Sequence, residues 1–157
     1  MRYSYLLLVF LLSSCLSTAY VEDGWKGGFT DTQINEDTWK VTVGGNAYTK
    51  QSTIRDYAIL RASEVTLEQG YKYFVIYDDK DSTKVNTYTT SGSSSTTGRI
   101  DDWGNINSRT TYNSPQTNTQ TKFGNELLYR VTNVKIDGFV NYDAQLIYDS
   151  LSAKYIK

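Results

Sequence analysis

The stretch "STIRDYAILRASEVTLEQGYKYFVIY", Ser52 to Tyr77, decides the fold, because the period of its apolar residues changes partway along. Ile54, Tyr57, Ala58, Ala62 and Val65 recur at spacings of three and four, the signature of a helix with a buried face. Ser52 or Thr49 can cap its start, Asp56 lies early in it, and Gly70 supplies the stop. Tyr71 to Tyr77 then forms a run of aromatic and branched residues that reads as a central strand, broken by a turn at Asp78-Asp79-Lys80-Asp81.

Working outward, Phe29 to Ile34 reads as a short strand, Asn35-Glu36-Asp37 as a turn, and Trp39, Val41 and Val43 alternate with Lys40 and Thr42 as in a half-buried strand. Gly44-Gly45-Asn46 ends it. Downstream, eighteen of the forty residues 82–121 are Ser or Thr, a texture with little to bury. It predicts a long hairpin insertion with arms at Lys84–Thr89 and Asn107–Tyr112 and a mobile tip between them. Glu126 to Ile136 suits a strand with Leu128, Arg130, Thr132 and Val134 on one face. Asn141 to Tyr155 reads as an amphipathic helix burying Leu146, Ile147 and Leu151. The expected fold is α+β: one antiparallel-rich sheet, a long helix after strand 2, and a C-terminal helix packed on one face.

The amino terminus has export grammar. Arg2 precedes the apolar run Leu6–Leu12, which is too short for the ~20 residues a membrane-spanning helix needs. Leu12-Ser13-Ser14-Cys15 resembles the lipobox of bacterial lipoproteins, in which the cysteine is acylated and becomes the new terminus. The alternative is an ordinary signal cut after Ala19, since Ser17-Thr18-Ala19 is small-x-small. The expected organisation is a signal peptide at 1–14, a lipid-anchored tether at 15–28, and one α+β domain at 29–157. Leu16 after the cysteine, rather than Asp, points to the outer membrane. Cys15 is the single cysteine, so no internal disulfide exists.

Composition excludes much of enzymology. The chain has no histidine, the commonest general base and transition-metal ligand, so Ser-His-Asp triads, Cys-His dyads and His-based zinc sites are ruled out. Loss of residues 1–14 removes only Arg2 from the sixteen bases and none of the seventeen acids, leaving a net charge of −2. Lys and Arg are scattered, which argues against a nucleic-acid partner. The glycines match no phosphate-binding fingerprint, so no nucleotide and no cofactor is expected.

Three constellations remain. With Asp79 at position one of a calcium loop, Lys84 stands where glycine must turn and Thr90 where a bidentate glutamate should close the site, so no metal is expected there. Glu64 and Glu68, four apart on the helix, could pair for glycoside chemistry, but Arg61 one turn back is their natural partner. Arg99-Ile100-Asp101-Asp102-Trp103 is a charged aromatic island: Trp103, with Asp101 and Asp102, could contact a protein or glycan, or pack within the hairpin.

The stretch Gly27–Ile76 also resembles a family of small proteobacterial lipoproteins of unknown function. The resemblance rests on Gly28-Phe29-Thr30-Asp31-Thr32, Trp39–Val41, Gly45–Thr49, Asp56–Ala62 and Gly70–Ile76, with the closing "YDAQLIYDSL". It implies a lipid anchor and envelope residence, and brings no catalytic residues. The expected function is a non-enzymatic binding or assembly module on a Gram-negative envelope, with the membrane as partner through Cys15 and an envelope protein or glycan as ligand. The rivals are a carboxylate-dependent hydrolase of cell-wall or surface glycans and a purely structural envelope protein. A Cys15→Ser variant is expected to lose palmitate incorporation and to leave the membrane fraction. A wild-type chain that takes up no label and starts at Tyr20 would contradict the anchor.

Overall fold

Along the chain the elements are β1 (Gly28–Asn35), β2 (Thr38–Gly44), α1 (Gln51–Glu68), β3 (Tyr73–Asp81), β4 (Lys84–Thr90), β5 (Ser93–Ile100), β6 (Ile106–Asn113), β7 (Gln116–Lys122), β8 (Gly124–Thr132), β9 (Tyr142–Asp143) and α2 (Ala144–Tyr155). This computed structural model describes residues 17–156; the expected signal at 1–14 and lipid site at Cys15 lie outside the described residues. The chain divides into two units. One runs to Lys84 and resumes at Thr121, and the other is Val85–Gln120.

The larger unit is the α+β body, a five-stranded sheet in the order β1-β2-β8-β3-β9 with every neighbouring pair antiparallel. The alternation in β2 has its expected effect: Val41 and Val43 are fully buried, and Trp39 packs against the core edge. In β8 the buried face is Leu127, Tyr129 and Val131, so Leu128, Arg130 and Thr132 form the outer face; the strand ends at Thr132. Residues 133–141 are held instead by the Asn141 side chain, which accepts from the Ile136 N–H (2.8 Å) and donates to the Ile136 carbonyl (2.9 Å).

Helix α1 lies across the sheet with Ile54, Tyr57, Ala58, Ala62 and Val65 in the core. Leu60, Ser63 and Thr66 are buried too, because α2 packs beside α1, so the helix has two covered sides. Ser63 and Thr66 satisfy their buried hydroxyls by donating to the carbonyls of Leu60 and Ala62, both at 2.6 Å. The cap differs from expectation. Lys50 is the N-cap and offers no side-chain bond, Ser52 is already helical, and Thr49 is drawn into the core by Thr18. In α2 the side chain of Asp143 caps the start by accepting from the Leu146 N–H, and Leu146 itself is 69% exposed. The inward stripe is Ala144, Ile147 and Tyr155, to which Leu146 does not belong.

Two further readings are corrected. Residues 18–28 are not a free tether. Thr18 is buried, its N–H donating to Thr49 Oγ1 (2.7 Å), its hydroxyl to the Lys26 carbonyl (3.0 Å), and its own carbonyl accepting from the Tyr57 hydroxyl (3.0 Å). Tyr20 then packs between Phe29 and Tyr57, with ring centroids 4.7 and 5.3 Å away. Asp78–Asp81 is not a turn either. β3 continues through it, with a bulge between Ile76 and Asp78, paired to β8 from Leu128 to Asn125.

The second unit is a strand ribbon in which β5 pairs with β6 from Ser93↔Asn113 to Ile100↔Ile106 and β4 pairs with β7. The expected arms therefore belong to different ladders, and the tip is Asp101–Asn105, not the Ser/Thr run. Register follows turn chemistry: Asp101 Oδ1 accepts from the N–H groups of Trp103 (3.0 Å) and Asn105 (2.8 Å), and Gly104 takes a φ of 82°. All residues of β4, β5 and β6 are exposed. Replacing Val85–Gln120 by an Asn-Gly turn is expected to leave the melting temperature of the body within a few degrees. Phe74→Ala, which empties a fully buried site, is expected to cost about 3–5 kcal/mol in denaturant unfolding.

Candidate functional site

The bulge in β3 turns Asp79 and Asp81 toward the start of α1, where Gln51 and Arg55 share a helix face at i and i+4. Gly124 and Asn125 of β8 complete the wall. Together with Ser52 these residues line a cavity of about 460 Å³. Arg55 Nη2 lies 2.6 Å from Asp79 Oδ2, and Asn125 Nδ2 donates to Asp79 Oδ1 at 2.7 Å. Gln51 Nε2 donates to Asp81 Oδ2 at 2.8 Å, and the Thr83 N–H to Asp81 Oδ1 at 2.8 Å. All four carboxylate oxygens therefore already accept protein hydrogen bonds. Thr83, whose N–H donates to it, holds the Asp81 carboxyl below the usual carboxylate range, with Gln51 adding to the effect.

One acceptor is left over. Asn125 is only 8% exposed, its amide nitrogen is occupied, and its Oδ1 is buried with no protein partner. Such a group costs about 1–3 kcal/mol unless something donates to it. Arg55 and Asp79 also border a second recess of about 380 Å³, walled by Ile76, Gly138, Phe139, Val140 and Tyr142. The site is thus a groove with a polar end and an apolar shelf, joined at the Arg55–Asp79 ion pair. Phe139 is 49% exposed and held edge-on by Tyr77 at 5.4 Å.

The carboxylates Glu64 and Glu68 lie elsewhere. Arg61 Nη1 bonds both, at 3.0 and 3.1 Å, and Arg61 Nε donates to Asp31 Oδ1 at 2.9 Å. Tyr20 also donates its hydroxyl to Glu64. Burial, and then that bond, push the Tyr20 hydroxyl up. Burial alone would weaken the Arg61 charge, but the bonds to Asp31 and Glu64 outweigh it and raise its pKa. These acids border a separate recess with Leu67 and Tyr148. Nothing brings them to Asp79 and Asp81, so the four acids form two sites of two.

Asp101, Asp102 and Trp103 sit at the ribbon tip. Asp101 is committed to the turn, where the Asn105 side chain and N–H depress its pKa, and Trp103 is 90% exposed. Trp103 is therefore not packed within its hairpin. Asp79 and Asp81 stand out in the sequence as an acidic cluster, whereas no motif marks Gln51, Arg55 or Asn125. The available signals were the i, i+4 pair at the helix start and the Asp-x-Asp alternation, which is strand spacing.

Arg61 is a structural group. Its side chain is 16% exposed, against 25% and 15% for Asp31 and Glu64. Its removal strands partly buried carboxylates, so Arg61→Ala is expected to lower unfolding free energy by about 3 kcal/mol, and Arg61→Leu/Glu64→Gln by less. Equal losses in the two variants would contradict that account.

Comparison of the chain with protein-family models, with curated proteins and with solved structures finds no match.

Proposed function

We propose that this protein is a non-enzymatic binding module of a bacterial envelope, held at the membrane by lipid on Cys15, and that the Arg55–Asp79 groove grips a polyhydroxylated ligand, a cell-wall or surface glycan. The observation that carries the reading is one recess of about 460 Å³ walled by the Arg55 guanidinium, the Asp79 and Asp81 carboxylates and the Gln51 and Asn125 amides. Arg55 and Gln51 offer donors and the carboxylates retain free lone pairs, while the Phe139–Val140 shelf can receive the apolar face of a sugar ring.

Hydrolysis is the weaker reading because a glycosidic general acid must stay protonated near neutral pH, which needs a raised pKa. Asp81 is shifted the other way, and Asp79 is paired with Arg55. Both carboxylates are held in place by protein donors, and Asp81 is shifted toward its charged form, which suits holding a ligand.

Co-sedimentation with purified peptidoglycan sacculi, and retention on immobilised surface polysaccharide, test the proposal. Wild type should be retained on one of these supports, and Arg55→Gln/Asn125→Leu should bind at least about tenfold more weakly, a loss of ~1.4 kcal/mol. Equal retention of wild type and variant removes the groove from the reading. Release of reducing ends by wild type but not by Asp79→Asn would favour the hydrolase.

A further inference from the structure

The Val85–Gln120 unit presents a problem that the groove does not address. A two-stranded ribbon is at best marginally stable in water unless further strands or a packed face support it. Here β4, β5 and β6 expose every residue, and β5 and β6 form a sheet of two strands only. Among the described residues, each of those strands leaves one edge of backbone N–H and C=O groups without a sheet partner. Exposed edges are normally blunted by Lys, Pro or inward charges. β5 and β6 have no Lys, the lysines of the ribbon lie at its base at Lys84 and Lys122, and its single Pro, Pro115, lies between β6 and β7.

We propose that the ribbon is a self-association element, its exposed strand edges pairing with the ribbon of a second copy of this chain. The inference is independent of the groove. Charge permits it: Arg99, Arg109, Asp101 and Asp102 are the only charged residues of 85–120, so the segment is neutral and copies do not repel. The cross-strand register supports it further. Opposed residues share a face, so Thr96/Thr110, Ile100/Ile106 and Tyr112 lie on one uncharged face, while Arg99 and Arg109 lie on the other. If β6 of one copy meets β5 of the next in the hairpin's own register, each intramolecular pair recurs between copies. Ile106 meets Ile100, Thr110 meets Thr96, and Arg109 meets Thr97. Arg109 and Arg99 fall in different rows, so no like charges of β5 and β6 oppose each other. The Thr96–Thr110 hydroxyl bond of 2.9 Å is repeated as well.

The size is adequate. β4 and β5 supply seven and eight residues of edge. At ~3.4 Å per residue and a sheet thickness of ~10 Å, pairing covers about 500 Å² per partner and about 1,000 Å² in total, the threshold for a specific interface. A lipid surface fits less well. The uncharged face of β5 and β6 carries only Ile100, Ile106 and Tyr112 as large apolar groups, whereas a membrane strand presents a continuous apolar band.

Sedimentation velocity of the full chain in mild detergent tests this, with two variants: the Asn-Gly replacement of Val85–Gln120, and Thr111→Lys/Asn113→Lys, which places charge on β6 opposite Ser95 and Ser93 without an internal clash. Wild type should associate reversibly at micromolar concentration. The excised form should be monomeric with a melting temperature within a few degrees of wild type, and the lysine variant should need at least about tenfold more protein for half-association. A monomeric wild type, or an excised form that associates like wild type, overturns the proposal. A lysine variant that associates as wild type does rejects edge pairing. Flotation of a monomeric wild type, but not the excised form, with phosphatidylethanolamine–phosphatidylglycerol vesicles would reassign the ribbon to lipid.

Discussion

Strand β8 closes the body by entering the slot between β2 and β3 and bonding to both along nearly its whole length. The helical connection α1 carries the chain from β2 to β3 but leaves them one strand apart, so neither has an inner partner until β8 arrives. Its inward residues Leu127, Tyr129 and Val131 then meet Val41, Val43 and Phe74 under α1. All of α1, β3 and the ribbon lie between β2 and β8 in sequence. The defining contacts are thus non-local, and the loop entropy must be spent before the sheet returns any stability.

The same strand builds the groove. Asn125 is the second residue of β8, and its side chain reaches across to Asp79 because the bulge in β3 offsets the two strands at that end. Without the bulge, Asp79 would sit on the opposite face of the sheet, since side chains alternate strictly along a strand. Arg55 completes the arrangement from above. A sheet irregularity, a helix start and a strand start therefore converge on one polar recess, while the rest of that sheet face is filled by aliphatic and aromatic packing.

Much of this architecture could be read from residue order. The period change at Gly70, the alternation Trp39-Val41-Val43 and the aromatic run to Tyr77 each reflect burial on a defined face, and burial is what residue patterns record. The misread parts lack such a record. Ser and Thr occupy both faces of the ribbon, so nothing in the alternation distinguishes one register from another, and the Asp101–Asn105 turn decides. The charged end of β3 looks like a turn because Asp79 and Asp81 face a wet groove and Asp78 and Lys80 the outer face of the sheet, so none of them faces the core. Gly24, Gly27 and Gly28 suggest a linker, yet Gly27 has a φ of 93° and a Cβ there would fall 2.3 Å from the Gly44 carbonyl oxygen, so close backbone approach is the reason for glycine. The groove itself draws on residues far apart in sequence, and only the tertiary pairing of β3 with β8 unites them.

The docking of Thr18 also bears on how the body would stand on a membrane. With the backbone of Thr18 pinned to Thr49 and Tyr57, a lipid on Cys15 would be joined to the folded body by a span of three residues, which reaches about 10 Å at full extension. Lipoproteins with long polar leaders sample a wide shell of space above the bilayer. A leash of that length would be shorter than a helix diameter, so the pole of the body bearing Thr18, Asn46 and Thr49 would ride against the headgroups, and rotation about the membrane normal would be the main freedom left to it.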